Sequence, residues 1–96
     1  KDEIIKIAFF ELEGWEKDMI KKELGNLPNV RLFFSQDIVK PGNYDIISIF
    51  IYSKINKEFI DKSPNLKLII SRSAGLDHID LEYAKNKGIL VSNTPE

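Results

Sequence analysis

The chain has 96 residues, with 14 Lys+Arg against 15 Asp+Glu for a formal net charge of −1, and 43% of it is hydrophobic and 30% charged. That composition belongs to one globular domain rather than a disordered segment. The charge balance argues against a nucleic-acid or polybasic membrane partner, no apolar run nears the ~20 residues of a bilayer span, and the lack of Cys excludes disulfides, thiolate metal sites and cysteine nucleophiles.

Short apolar blocks alternate with amphipathic or polar stretches. Ile4 to Phe10 is β-branched and aromatic and predicts a first, mostly buried strand. Gly14 to Leu24 carries Trp15, Met19, Ile20 and Leu24 at helical spacing, with Gly25 as C-cap and Pro28 beyond. Trp15, Met19 and Leu24 are expected to form its core stripe, and Lys17, Lys21 and Lys22 a solvated face. Val30 to Phe34 is the second strand. Ser35 to Tyr44 contains Pro41-Gly42-Asn43 and reads as a loop, with one helical turn near Ile38 and Val39 as an option.

Asp45 to Ile51 is apolar on both faces and predicts a central third strand. Asn56 is a suitable cap for a short helix through Lys62 that buries Phe59 and Ile60 and stops before Pro64. Leu66 to Ser71 is the fourth strand. Asp80 caps Leu81 to Lys87, Gly88 takes a left-handed position, and Ile89-Leu90-Val91 is the fifth strand.

This alternation predicts an α/β fold with a parallel sheet in the flavodoxin-like order 2-1-3-4-5. The first helix then lies on one face and the later connections on the other. The first face needs a second helix to cover strands 3 to 5, and the sequence supplies none. With Lys1 at one end and Pro95-Glu96 at the other, the expectation is an incomplete domain, a fragment whose bare sheet face self-associates or is covered by another segment.

Ligands of such sheets bind outside the carboxyl ends of the strands, where strand order reverses. Three loops qualify: Phe10 to Gly14, Ile51 to Asn56 and Ser71 to His78. The last places small residues and a glycine directly after a buried strand, which lets successive N–H groups approach an anion; an ordinary tight turn is the alternative reading. Glu11 and Glu13 stand two apart and read as a solvated loop rather than a paired-carboxylate site. Asp77, His78 and Asp80 lack a fourth ligand for a metal. Arg72 reads as a salt-bridge or loop-anchoring residue.

Leu66 to Asp80, including Ser71-Arg72-Ser73-Ala74-Gly75-Leu76-Asp77-His78-Ile79-Asp80, followed by Lys87-Gly88-Ile89 and Asn93-Thr94-Pro95, resembles the D-isomer-specific 2-hydroxyacid dehydrogenase family, in particular its D-lactate dehydrogenases. The resemblance is specific from about Ile46 to Pro95. It implies an NAD-dependent oxidoreductase interconverting a 2-keto acid and a D-2-hydroxy acid, pyruvate and D-lactate in the first place. This chain would be the N-terminal part of a flavodoxin-like substrate-binding domain; the NAD-binding domain and a C-terminal helix would lie outside it. By the same resemblance Ala74 and Gly75 hold the substrate carboxylate through backbone N–H groups, with Ser73 beside them, and Tyr52 lines the pocket. Strand-end packing on the next helix is the other reading of Tyr52.

His78 matches a structural position and not the family's catalytic histidine. The family's catalytic Arg, Glu and His have no counterpart here, nor does a G-x-G-x-x-G for NAD, so the fragment alone is expected to bind no cofactor or metal and to be inactive. Two other modules share the layout. A phosphorylated receiver needs an aspartate where Ile51-Tyr52 stand, and a flavodoxin needs a Ser/Thr/Gly phosphate loop where Glu11-Leu12-Glu13-Gly14 is acidic. The expected compartment is the cytoplasm, and the expected partner is a small acid, with neither nucleic acid nor membrane.

Overall fold

Five runs of β-branched and aromatic residues build the sheet. In a computed structural model, which describes residues 3–94, they become β1 (Ile5–Phe9), β2 (Val30–Phe34), β3 (Ile46–Ile49), β4 (Leu68–Ser71) and β5 (Leu90–Asn93). Between them lie α1 (Gly14–Leu24), α2 (Lys57–Asp61) and α3 (Leu81–Asn86). Every neighbouring pair is parallel and the order is β2-β1-β3-β4-β5, as the sequence predicts.

Register partners share a face, and the two faces differ sharply. Phe33, Ala8, Ile47, Ile69 and Val91 form one continuous row across the five strands. That row meets Phe59 and Ile60 of α2, Ala84 of α3, and Ile55, Ile79 and Ile89 of the connections, forming the core. Ile47, Ile49 and Ile69 are fully buried there, each stabilising the fold by ~1.5–3 kcal/mol. On the opposite face the corresponding row is Leu32, Ile7, Ile46, Leu68 and Leu90. α1 lies on this side, where Lys17 Nζ sits 5.7 Å from the centre of the Phe34 ring. Coverage fails toward β5, and Leu90 is 71% exposed.

The caps read from the sequence hold. The Asn56 side chain accepts from Phe59 N at 2.9 Å and that of Asp80 from Tyr83 N at 3.1 Å. Gly88 has φ +77°, a left-handed conformation that glycine adopts without penalty. A parallel bridge pairs Ile55 with Ile79, through Ile55 N to His78 O and Asp80 N to Ile55 O, both 2.8 Å. It ties the segments that start α2 and α3 to each other.

Some expectations need correction. Trp15 and Met19 are 65% and 50% exposed, and α1 has no fully buried side chain; Glu16, Ile20 and Leu24 are the half-buried ones. The helix turns its Glu16 edge, rather than its Trp15 edge, toward the sheet. β3 stops at Ile49, because the chain turns at Ile51 and Tyr52 and leaves Phe50 and Ile51 exposed on the rim. No helical turn forms at Ile38 and Val39. That stretch is held instead by Val39 N donating to the buried Ser53 Oγ at 2.9 Å.

Candidate functional site

The reversal of strand order falls between β1 and β3, and the three loops leaving the carboxyl ends of β1, β3 and β4 gather beside it. The loop after β4 has a consistent polarity. Its three carbonyls are occupied: Ser73 O accepts from Thr94 N at 3.2 Å, Ala74 O from Asn93 Nδ2 at 2.8 Å, and Gly75 O from Ser73 Oγ at 2.8 Å. Among the described residues, the N–H groups of Ser73, Ala74 and Gly75 meet no acceptor. Ala74 and Gly75 are exposed while the Ser73 side chain is buried. Carbonyls turned inward and N–H groups left over make a surface for an anion's oxygens.

Gly75 has neither a positive φ nor a crowding neighbour, since a Cβ built on it would meet nothing within 4 Å. Nothing among the described residues requires glycine at that position. Its bare backbone leaves room for a group approaching from outside.

Beneath the loop runs a buried polar chain. His78 Nε2 lies 2.8 Å from Ser71 Oγ, and Ser71 Oγ lies 2.7 Å from Ser73 Oγ. His78 is therefore engaged with the wall under the loop. Asp80 is engaged as a helix cap.

Arg72 is the half-buried cation of the site. It leaves the end of β4 on the α1 side and crosses β3, donating Nη1 to Ser48 Oγ at 2.8 Å and Nη2 to the carbonyls of Phe10 at 2.6 Å and Glu11 at 2.9 Å. The anchoring half of its expected role is what it performs; no ion pair within 4.0 Å includes it among the described residues. Burial lowers the guanidinium pKa below its ordinary value, and the negative charges of Glu16 and Glu11 oppose that shift.

Glu11 departs from its expected place in a solvated loop. Its backbone has φ +58°, and its carboxylate accepts from Phe50 N at 3.0 Å and Tyr52 N at 3.1 Å. Arg72 grips the backbone of Glu11, and Glu11 grips the turn that carries Tyr52. These contacts span 39 to 62 positions in sequence, and no local spacing signals them. The Tyr52 ring is 69% exposed and edge-on to Phe50 at 6.3 Å, not packed against α2. With Glu11, Leu12, Glu13, Gly14, Gln36, Ile38 and Phe50 it borders a depression of about 510 Å³.

Comparison with known proteins places these loops in context. The family described as "D-isomer specific 2-hydroxyacid dehydrogenase, catalytic domain" matches residues 11–96. A glyoxylate reductase of Thermococcus litoralis is 33% identical over 91% of this chain and 23% of its own length. A D-lactate dehydrogenase of Staphylococcus epidermidis is 32% identical over 94% of this chain and 29% of its own. The solved D-lactate dehydrogenase of Aquifex aeolicus, complexed with NAD and lactic acid, superposes with a TM-score of 0.84 at 35% identity, over 93% of this chain and 28% of that one. This chain thus spans under a third of the length of these relatives.

Proposed function

Since the chain belongs to the D-isomer specific 2-hydroxyacid dehydrogenase family, we propose that it is the N-terminal part of a substrate-binding domain that grips the carboxylate of a 2-keto or D-2-hydroxy acid, with pyruvate and D-lactate as the pair. The observation that carries this reading is the polarity of residues 73–75: three carbonyls internally bonded, and three N–H groups without an acceptor among the described residues. Charge-assisted bonds from Ala74 and Gly75, with Ser73 alongside, would fix the carboxylate. Tyr52 would border the pocket across the strand-order reversal. Fixing one end of a small acid orients its C2 for the reacting partner, which is a positioning contribution.

The named relatives are dehydrogenases and reductases, and one is complexed with NAD, which supports an NAD-dependent reaction in the whole protein. This chain's own loops do not suit the pyrophosphate of NAD. The first turn of α1 is acidic, and Glu16 Oε1 already occupies Glu13 N at 2.8 Å. A diphosphate brought there would meet carboxylates rather than open N–H groups. The cofactor and the catalytic residues belong to protein outside this chain, as does the segment that covers the Leu32–Leu90 row.

The test is titration of the isotope-labelled chain with pyruvate, followed by NMR. Saturable shifts of the Ala74 and Gly75 amides, with a smaller response at Tyr52, are expected. Shifts confined to other surfaces, or none, would overturn the reading. Glyoxylate in place of pyruvate reads out selectivity, because relatives of both kinds match at similar identity. Mixed with NADH and pyruvate, the chain alone is expected to give no turnover; sustained NADH oxidation would refute its status as an incomplete enzyme.

A further inference from the structure

We propose that His78, Ser71 and Ser73 form a one-way hydrogen-bond chain that sets the amide-presenting loop, making His78 a positioning residue rather than an acid or base; this rests on the loop being the carboxylate site. The direction follows from counting protons, because each hydroxyl has only one. Ser73 Oγ spends its proton on Gly75 O, since a carbonyl can only accept. Toward Ser71 the Ser73 oxygen must therefore accept, and the Ser71 proton goes to it across 2.7 Å. Ser71 has no proton left for the imidazole, so His78 Nε2, at 2.8 Å, must be the donor. The order is His78 to Ser71 to Ser73 to Gly75 O.

Two consequences follow. His78 carries its proton on Nε2, which leaves Nδ1 outside the chain. The Gly75 carbonyl is held down, which keeps the plane of the Gly75–Leu76 peptide fixed beside the exposed N–H groups. Ser71 is fully buried and Ser73 nearly so, so water cannot readily replace either link. The remote end of the chain is anchored as well, because His78 O accepts from Ile55 N and links the loop to the start of α2.

The experiment uses this chain, nitrogen-labelled, with pyruvate as the probe. Heteronuclear NMR of the imidazole should show Nε2 protonated and Nδ1 bare in the neutral ring; the opposite tautomer would overturn the proposal. Pyruvate affinity, read at the Ala74 and Gly75 amides, should fall about five- to tenfold in His78→Leu and in Ser71→Ala. His78→Gln, whose amide nitrogen can donate from a similar position, should restore most of it. Equal affinity in wild type and His78→Leu, or no rescue by glutamine in a folded variant, would sink the positioning role. Absence of any pyruvate response in the wild type would instead sink the carboxylate reading, and the tautomer would still decide the direction of the chain.

Discussion

At Gly75 the requirements of folding can be measured apart from those of the proposed carboxylate binding. Its φ is not in the left-handed region and no neighbour would touch an added Cβ, so Gly75→Ala should leave stability within about 0.5 kcal/mol of the parent in urea titrations. If the loop binds a carboxylate as proposed, the added methyl would crowd its approach, and pyruvate affinity at the neighbouring amides should fall at least several-fold. Arg72 shows the opposite pattern. Its guanidinium satisfies two carbonyls and one hydroxyl at the junction of β1, β3 and β4, and truncation to Ala strands all three acceptors. Arg72→Ala should cost about 2–4 kcal/mol in urea unfolding. Arg72→Lys should recover only part, because an ammonium cannot reproduce the fork. The loop after β4 was legible in sequence because its small residues are contiguous. The Arg72–Glu11 clamp was not, because it depends on pairs about forty to sixty positions apart.

Helix caps were the most readable elements, and they carry measurable energy. Asn56→Ala and Asp80→Ala should each destabilise by ~1 kcal/mol, as loss of a side-chain acceptor at an N-terminus does. Their effects should fall short of or exceed a simple sum, because the Ile55–Ile79 bridge couples the two helix starts. α3 is also tied to α2 by the Tyr83 hydroxyl, which donates to Asp61 Oδ1. That bond, with smaller desolvation and charge effects, raises the phenol pKa above its ordinary 10.0. A raised pKa means the neutral phenol is favoured in the folded state. Its contribution is full below pH 10 and is lost as pH rises through the folded value. Tyr83→Phe should therefore lower stability throughout the range below pH 10 and flatten the alkaline limb, the two proteins converging as pH rises through the folded value, a difference readable from denaturation midpoints at several pH values. α1 was harder to orient. Trp15 and Met19 make one apolar pair four apart and Ile20 and Leu24 make another, so hydrophobic spacing allows either edge to face the sheet. The sheet takes the edge that brings Glu16 near Arg72, a charge attraction that no helical periodicity reports.

At the scale of the whole molecule the asymmetry of the sheet dominates. The order of strands was readable because parallel, continuously apolar strands admit few right-handed windings, and the same winding places α2 and α3 on one side and α1 on the other. The unequal burial of the two register rows follows directly: Ala8, Ile47 and Ile69 are sealed, whereas Leu90 is largely open and its partners Leu68 and Ile46 are half-covered. An apolar row of this kind across three neighbouring strands favours association in water. Sedimentation of the isolated chain should show a concentration-dependent rise above monomer mass. Leu90→Lys should suppress that rise without loss of fold, since position 90 is already mostly solvated and a charge there costs little in the monomer. Added salt should leave association intact or strengthen it, in contrast to a charge-driven contact, which would weaken as screening increases. A monomer at high concentration, or association abolished by salt and indifferent to Leu90→Lys, would mean that the open row is covered from within the chain's own fold.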